Sequence, residues 1–220
     1  MNNEKIARLH FITLDDYRTP PARQVLLACQ AGIKWVQLRI KEGSRAFILQ
    51  AAREARGICD HYQARLIIND HPDIALQCGA DGVHLGQQDM PVAKARKMAG
   101  KLIIGGTANT PAQALDMARQ GADYIGAGPF RFTTTKKKLS PILGRKGIEA
   151  IRDQLDREGM PQPLIAVGGI RIEDLEELLA LRIYGIAVSG TIARAADPLE
   201  VTKKLENYFT KLKSDVGNSW

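Results

Sequence analysis

Apolar positions along the chain follow two alternating rhythms. Eight short apolar runs lie near 9–14, 33–39, 65–69, 82–86, 102–106, 123–127, 164–168 and 185–189. Most are separated by stretches with apolar residues three and four apart, the period of a helix that buries one face. These stretches cover 22–32, 44–63, 72–78, 91–99, 111–120, 146–157 and 172–181, and another at 197–212 follows the last run. The short runs read as strands of a buried parallel sheet. Four of the handovers share a phrase: AGIKWVQLR (31–39), CGADGVHLG (78–86), QGADYIGAG (120–128) and LRIYGIAVSG (181–190). In the first three a glycine stands just before the strand, where a left-handed residue ends a helix, and Arg182 stands near that place in the fourth.

Eight alternating βα units predict an α/β fold, a (β/α)8 TIM barrel in a single domain. The barrel is expected over about 9–212, with a frayed tail at 213–220. A doubly wound open sheet is the alternative that the same alternation allows. No shift in composition and no linker marks a second domain.

Composition narrows the classes of function. Hydrophobic residues make up 45% and charged residues 25% of the 220, an ordinary globular balance. The net charge is +7, yet the only dense basic run is Lys136, Lys137 and Lys138, and aromatic residues are 5%. That is poor material for stacking bases, so small anionic substrates are expected rather than nucleic acid. Cys29, Cys59 and Cys78 lack CxxC spacing and are expected as buried free thiols. The start of the chain is polar and no apolar run approaches the roughly 18 residues of a membrane span, which predicts a soluble, cytoplasmic protein away from membranes. The oligomeric state stays open, a homo-oligomer included.

In a barrel the chemistry gathers on the loops that follow the strands. After the second strand, alternation puts Gln37, Arg39 and Lys41 on one face and Leu38 and Ile40 on the other. Cations aimed into the mouth call for an anion, the alternative being a solvated end with ordinary salt bridges. After the third and fourth strands come Asn69-Asp70-His71 and His84-Leu85-Gly86-Gln87-Gln88-Asp89. Asp70 and Asp89 end neighbouring strands; facing carboxylates suit Mg²⁺, and capping of the next helices is the other reading. His71 and His84 are expected to be structural, since neither comes with a nucleophile or a second metal-ligand histidine. After the sixth strand, the loop 128–138 carries Thr133, Thr134, Thr135 and the three lysines, a pattern suited to closing over phosphate or, alternatively, to a solvated basic surface. Gly168-Gly169 and Val188-Ser189-Gly190 end the last two strands, where barrels often bind phosphate on free backbone N–H groups.

Together these pieces resemble the thiamine-phosphate synthase family. The matching segments are VQLRIK (36–41), LIIND (66–70), ADGVHLGQQDMP (80–91), IGGTANT (104–110), DYIGAGPFRFTTTKK (123–137), IAVGGI (165–170) and GIAVSGTI (185–192). The resemblance implies a transferase that joins a hydroxymethylpyrimidine diphosphate to a thiazole phosphate and releases pyrophosphate. It implies that Gln37, Arg39, Lys41, Asn69, Thr107 and Lys136 hold the diphosphate, with Arg39, Lys41 and Lys136 as catalytic cations. It places Mg²⁺ on Asp70 and Asp89, and the thiazole phosphate on Thr133, Thr135, Gly169, Val188 and Ser189. Three positions depart from the family pattern: Ile40 in place of Glu, Thr107 in place of Ser and Asn109 in place of His. The absent histidine bears on a related barrel, thiazole tautomerase, whose activity is associated with it. That relative and a non-catalytic barrel binding a phosphorylated ligand are the competing functions.

Overall fold

The computed structural model describes residues 6–15, 19–133 and 140–215, with side chains of the last helix described to Thr210. Its eight strands are β1 (Leu9–Ile12), β2 (Trp35–Leu38), β3 (Arg65–Asn69), β4 (Gly82–Leu85), β5 (Ile103–Ala108), β6 (Tyr124–Ala127), β7 (Leu164–Val167) and β8 (Gly185–Val188). All pair in parallel, in chain order, and Leu9 opposite Ile186 closes β1 onto β8. Closure excludes the open sheet and establishes the (β/α)8 barrel.

The helices are α1 (Pro21–Gln30), α2 (Arg45–His61), α3 (Pro72–Cys78), α4 (Val92–Met98), α5 (Pro111–Arg119), α6 (Gly144–Arg157), α7 (Leu175–Ala180), α8 (Gly190–Ala193) and α9 (Pro198–Asp215). Three features differ from the sequence expectation. The segment 172–181 opens with a tight 3-10 turn, Ile172–Asp174, before α7. The short α8 carries too few residues to show a period. Finally, α9 continues to Asp215, so the residues 213–215 expected in the tail are helical; the rest of the tail lies outside the described residues. Among the described residues no helix is long and apolar enough to cross a membrane.

The handovers are built as their spacing implies. Gly32, Gly79 and Gly121 have φ of 97°, 68° and 95°, and Arg182 takes the same left-handed place with φ 56°. A side chain is disfavoured there. Arg182 uses its own side chain locally, reaching Asp153 at 2.8 Å and Asp156 at 2.5 Å.

Alternation along the strands divides the core in two. Outward residues such as Val36, Leu66, Ile68, Val83, Leu85, Ile104, Ile125 and Ile186 pack under the helices. Inward residues Trp35, Ile67, Ile103, Tyr124, Ile165 and Ala187 fill the lumen. One inward step further along β2 and β3, and two along β5 past Gly105, the same alternation presents Gln37, Asn69 and Thr107 instead, and the lumen turns polar towards its mouth. The three cysteines are buried and free.

The lumen floor holds one group of a different kind. His10 is 1% exposed and stacks on Trp35 with ring centroids 4.4 Å apart. Its Nε2 donates to the Ala7 carbonyl at 2.8 Å. Burial is the main cause that pushes its pKa down from 6.5 to about 3, opposed by the Ala7 bond and assisted by His84. The unfolded chain takes up this proton below about pH 6.5 and the folded barrel only near 3. Stability present at neutral pH is therefore lost as pH falls between those values. Denaturant unfolding at pH 6.5 and pH 5 should show the wild type losing about 2 kcal/mol more than His10→Phe. Equal losses in the two proteins would mean that His10 is protonated inside the barrel.

Candidate active site

A cavity of about 740 Å³ opens at the C-terminal ends of the strands. Gln37, Arg39, Lys41, Asn69, Asp70, Asp89, Thr107, Thr133, Gly169, Val188 and Ser189 all line it, so every described candidate residue meets in one place. Thr135 and Lys136 lie outside the described residues.

One side of the cavity is cationic. Gln37 and Asn69 are 4% and 7% exposed, and Gln37 Nε2 donates to Asn69 Oδ1 at 2.6 Å. Asn69 Nδ2 is buried with no acceptor among the described residues. The buried Thr13 hydroxyl accepts from Arg39 N at 2.8 Å and holds the end of β2 against that of β1. Ile40 packs outward into the core, leaving Arg39 and Lys41 on the cavity. Arg39 is 8% exposed, and its Nη1 stands 3.6 Å from Asp15 without a hydrogen bond. Burial weakens this guanidinium's hold on its proton, and Asp15 and Asp70 offset the effect. Lys41 Nζ meets Asp70 Oδ2 at 2.5 Å. The salt bridges of the solvated alternative are thus present, but inside the mouth of the cavity.

The Asp70 and Asp89 carboxyl groups face each other closely enough that each shifts the other's titration. Burial alone would push Asp70 up, but Asp89 and Lys41 hold it below the usual carboxylate range. Burial first, and then Asp70, push Asp89 up to about 6, against a backbone N–H from Gly86 that favours its charge. Two carboxylates this close cannot both ionise freely. Neither caps the next helix: α3 and α4 start behind His71 and Pro91. Asp70 also adopts φ 66°, a left-handed conformation that aspartate tolerates better than most residues. Facing, oxygen-only, partly buried donors fit a hard divalent cation. No group of three or more His, Cys, Asp or Glu residues occurs among the described residues, so this pair would leave most of the cation's coordination to other oxygens.

The opposite side offers backbone. Gly168 and Gly169 have φ of 97° and 68°, and a Cβ on Gly169 would come within 2.8 Å of Arg131 Cβ. Glycine is required because the loop after β6 lies directly against them. Phe130 N and Arg131 N donate to the Val167 and Gly168 carbonyls, both at 2.9 Å. The Arg131 guanidinium pairs with the buried Asp174. Val188 and Ser189 lead into α8, which begins at the cavity wall.

Several lining residues were not among the expected site residues. Gln87 Nε2 reaches over the wall to the Thr107 carbonyl at 2.5 Å. Asn109 Nδ2 donates to the Gly128 carbonyl, tying the β5 and β6 loops together. Arg171 and Arg194 add cations near the backbone side, and Phe132 stands 68% exposed at the rim. Isolated loop residues carry no period, and only the fold assigns them to the cavity. His84, expected to be structural, also lines it.

The chain is similar to known proteins over most of its length. The sequence pattern described as thiamine monophosphate synthase matches residues 9–192. A thiamine-phosphate synthase of Bacteroides thetaiotaomicron is 44% identical over 200 residues, 90% of this chain and 96% of that protein. One from Phocaeicola vulgatus is 44% identical over 207 residues, 93% and 99% of the two chains. The solved thiamine phosphate pyrophosphorylase of Pyrococcus furiosus superposes with a TM-score of 0.80 at 31% identity, covering 93% of this chain and 96% of that one. By match to the family over most of its barrel, this chain is a transferase and belongs to the thiamine monophosphate synthase family.

Proposed function

We propose that the chain couples 4-amino-5-hydroxymethyl-2-methylpyrimidine diphosphate to hydroxyethylthiazole phosphate, giving thiamine phosphate and pyrophosphate. The observation that carries this reading is the division of one cavity into two anion-binding sides. Arg39 and Lys41 stand with the carboxylate pair on one side, and the glycine-bearing ends of β7 and β8 stand on the other. A buried guanidinium nitrogen without a hydrogen bond, beside a buried amide N–H without an acceptor, is a costly arrangement that a bound anion would relieve.

The chemistry asks for no general base, because a thiazole nitrogen is already nucleophilic. The difficult event is loss of pyrophosphate from the pyrimidine methylene, and an electron-rich aminopyrimidine supports the resulting cation. Arg39 and Lys41 offset charge as it gathers on the departing oxygens, and Lys136 has the same role in this reading. Gln37 and Asn69 orient the diphosphate substrate. Thr133, Thr135 and the N–H groups around Gly169, Val188 and Ser189 hold the thiazole phosphate against it. Asp70 and Asp89 would hold Mg²⁺, which neutralises phosphate charge when bound. The tautomerase alternative needs a group that moves a proton. Asn109, whose amide binds the Gly128 carbonyl, is not one.

Mixing the two substrates, Mg²⁺ and the protein should yield thiamine phosphate and pyrophosphate in equal amounts. No coupling by folded protein would leave a binding barrel or the tautomerase as the better account. Arg39→Ala should lower kcat by about 10²- to 10³-fold with little change in thermal stability. Chelation should abolish coupling, and Asp89→Asn should remove Mg²⁺ binding in calorimetric titration; undiminished binding would take Asp89 out of the metal site.

A further inference from the structure

From Thr107 and His84 on the cavity wall a line of polar groups runs down to the buried Tyr124 in the lumen. The Tyr124 hydroxyl lies 3.0 Å from His84 Nδ1, and His84 Nε2 lies 2.8 Å from Thr107 Oγ1. Tyr124 is 1% exposed, edge-on to both Trp35 and His10. Thr107 lines the cavity. The neighbouring strands are shaped around the two rings. A Cβ on Gly105 would stand 2.2 Å from Tyr124 Cζ and 2.5 Å from His84 Nδ1, and one on Gly126 would stand 3.0 Å from His84 Cε1. Both glycines point into the lumen where a side chain would displace the histidine.

The direction of these bonds follows from the buried end. Burial holds the Tyr124 phenol far above its ordinary pKa, so it stays protonated. Among the described residues its hydroxyl meets no polar partner except His84 Nδ1. Were Nδ1 the protonated nitrogen, the phenolic proton would be left without an acceptor in an aromatic pocket. That arrangement is disfavoured by about tenfold or more in population. Tyr124 therefore donates to Nδ1, the ring carries its proton on Nε2, and Nε2–H donates to Thr107 Oγ1. With its oxygen engaged as acceptor, the Thr107 hydroxyl has its proton left to give. Among the described residues no carbonyl or carboxylate takes it.

The geometry points to His84 as a positioning residue that, locked in one tautomer by Tyr124, orients the Thr107 hydroxyl to donate its proton to an acceptor atom of the diphosphate substrate. This rests on the proposed coupling reaction. It assigns the choice between donor and acceptor at Thr107 to the His84 ring and, behind it, the Tyr124 hydroxyl. A hydroxyl so committed favours an anionic oxygen or a ring nitrogen over an amino group.

The test combines a spectrum with kinetics on the full chain. In ¹⁵N-histidine-labelled protein at pH 8, His84 should show a bare Nδ1 and a protonated Nε2. In Tyr124→Phe, which removes one oxygen, its two shifts should move towards a tautomer mixture. His84→Leu and Thr107→Val should each lower kcat/KM for the diphosphate substrate by roughly ten- to a hundredfold, with KM for the thiazole phosphate within twofold. The double variant should be no slower than Thr107→Val alone. A protonated Nδ1, shifts unmoved by Tyr124→Phe, or additive losses in the double variant would each overturn the inference. If no variant and no wild type couples, the proposed reaction fails, while the histidine spectrum still decides the tautomer.

Discussion

Everything at the active end follows from one constraint, the period of two along strands that close into a ring. Once β1 pairs with β8, each inward position belongs to a shared interior and must suit the neighbours beside it. Low in the lumen those positions are Trp35, Ile67, Ile103, Tyr124 and Ile165, and they pack. Two residues further along β2 and β3, and four further along β5 past the inward Gly105, these positions are Gln37, Asn69 and Thr107. Their groups converge with no choice left to the loops. The polar cavity is thus the top layer of the core, continued upward until it meets solvent. Ile40 marks where the pattern switches, facing the helices between two cations that face the mouth.

That layer holds its charges in tension. Arg39 is buried beside Asp15 at 3.6 Å, and Lys41 leans on Asp70. Burial, and then Asp70, push Asp89 up to about 6. Each group is partly compensated by another of the set and none is fully satisfied. Such a site favours ligands that bring negative charge to the cations and a cation to the carboxylates. A diphosphate carried with a divalent metal does both at once. The opposite wall uses backbone, and its fixed dipoles suit a monophosphate without another set of buried charges.

The loops are tied to each other as well as to the strands. Arg131 with the buried Asp174, Asn109 with the Gly128 carbonyl and Gln87 with the Thr107 carbonyl link the β4 to β7 ends around the rim. The near end of the threonine- and lysine-bearing loop therefore departs from a braced position. This rigidity matters for a reaction that relies on placing two substrates face to face.

The chain's linear pattern was enough to determine the eight alternating βα units. Strand runs and helix periods are local consequences of which face each residue buries, and Arg182 in the left-handed place of a glycine shows how far that grammar reaches. The pattern also put Gln37, Arg39 and Lys41 on one face, whereas a capping role for Asp70 and Asp89 stayed open in the sequence and was excluded by the structure, in which α3 and α4 start behind His71 and Pro91. Closure over an open sheet, the helical start of the tail and the four-residue α8 were decided by tertiary packing, because none carries a period long enough to read. The same holds for His84. In the sequence no nearby residue reveals its role, and Tyr124 and Thr107, which it meets, lie 40 and 23 residues away. Only a ring of parallel strands in register brings those three side chains into one line.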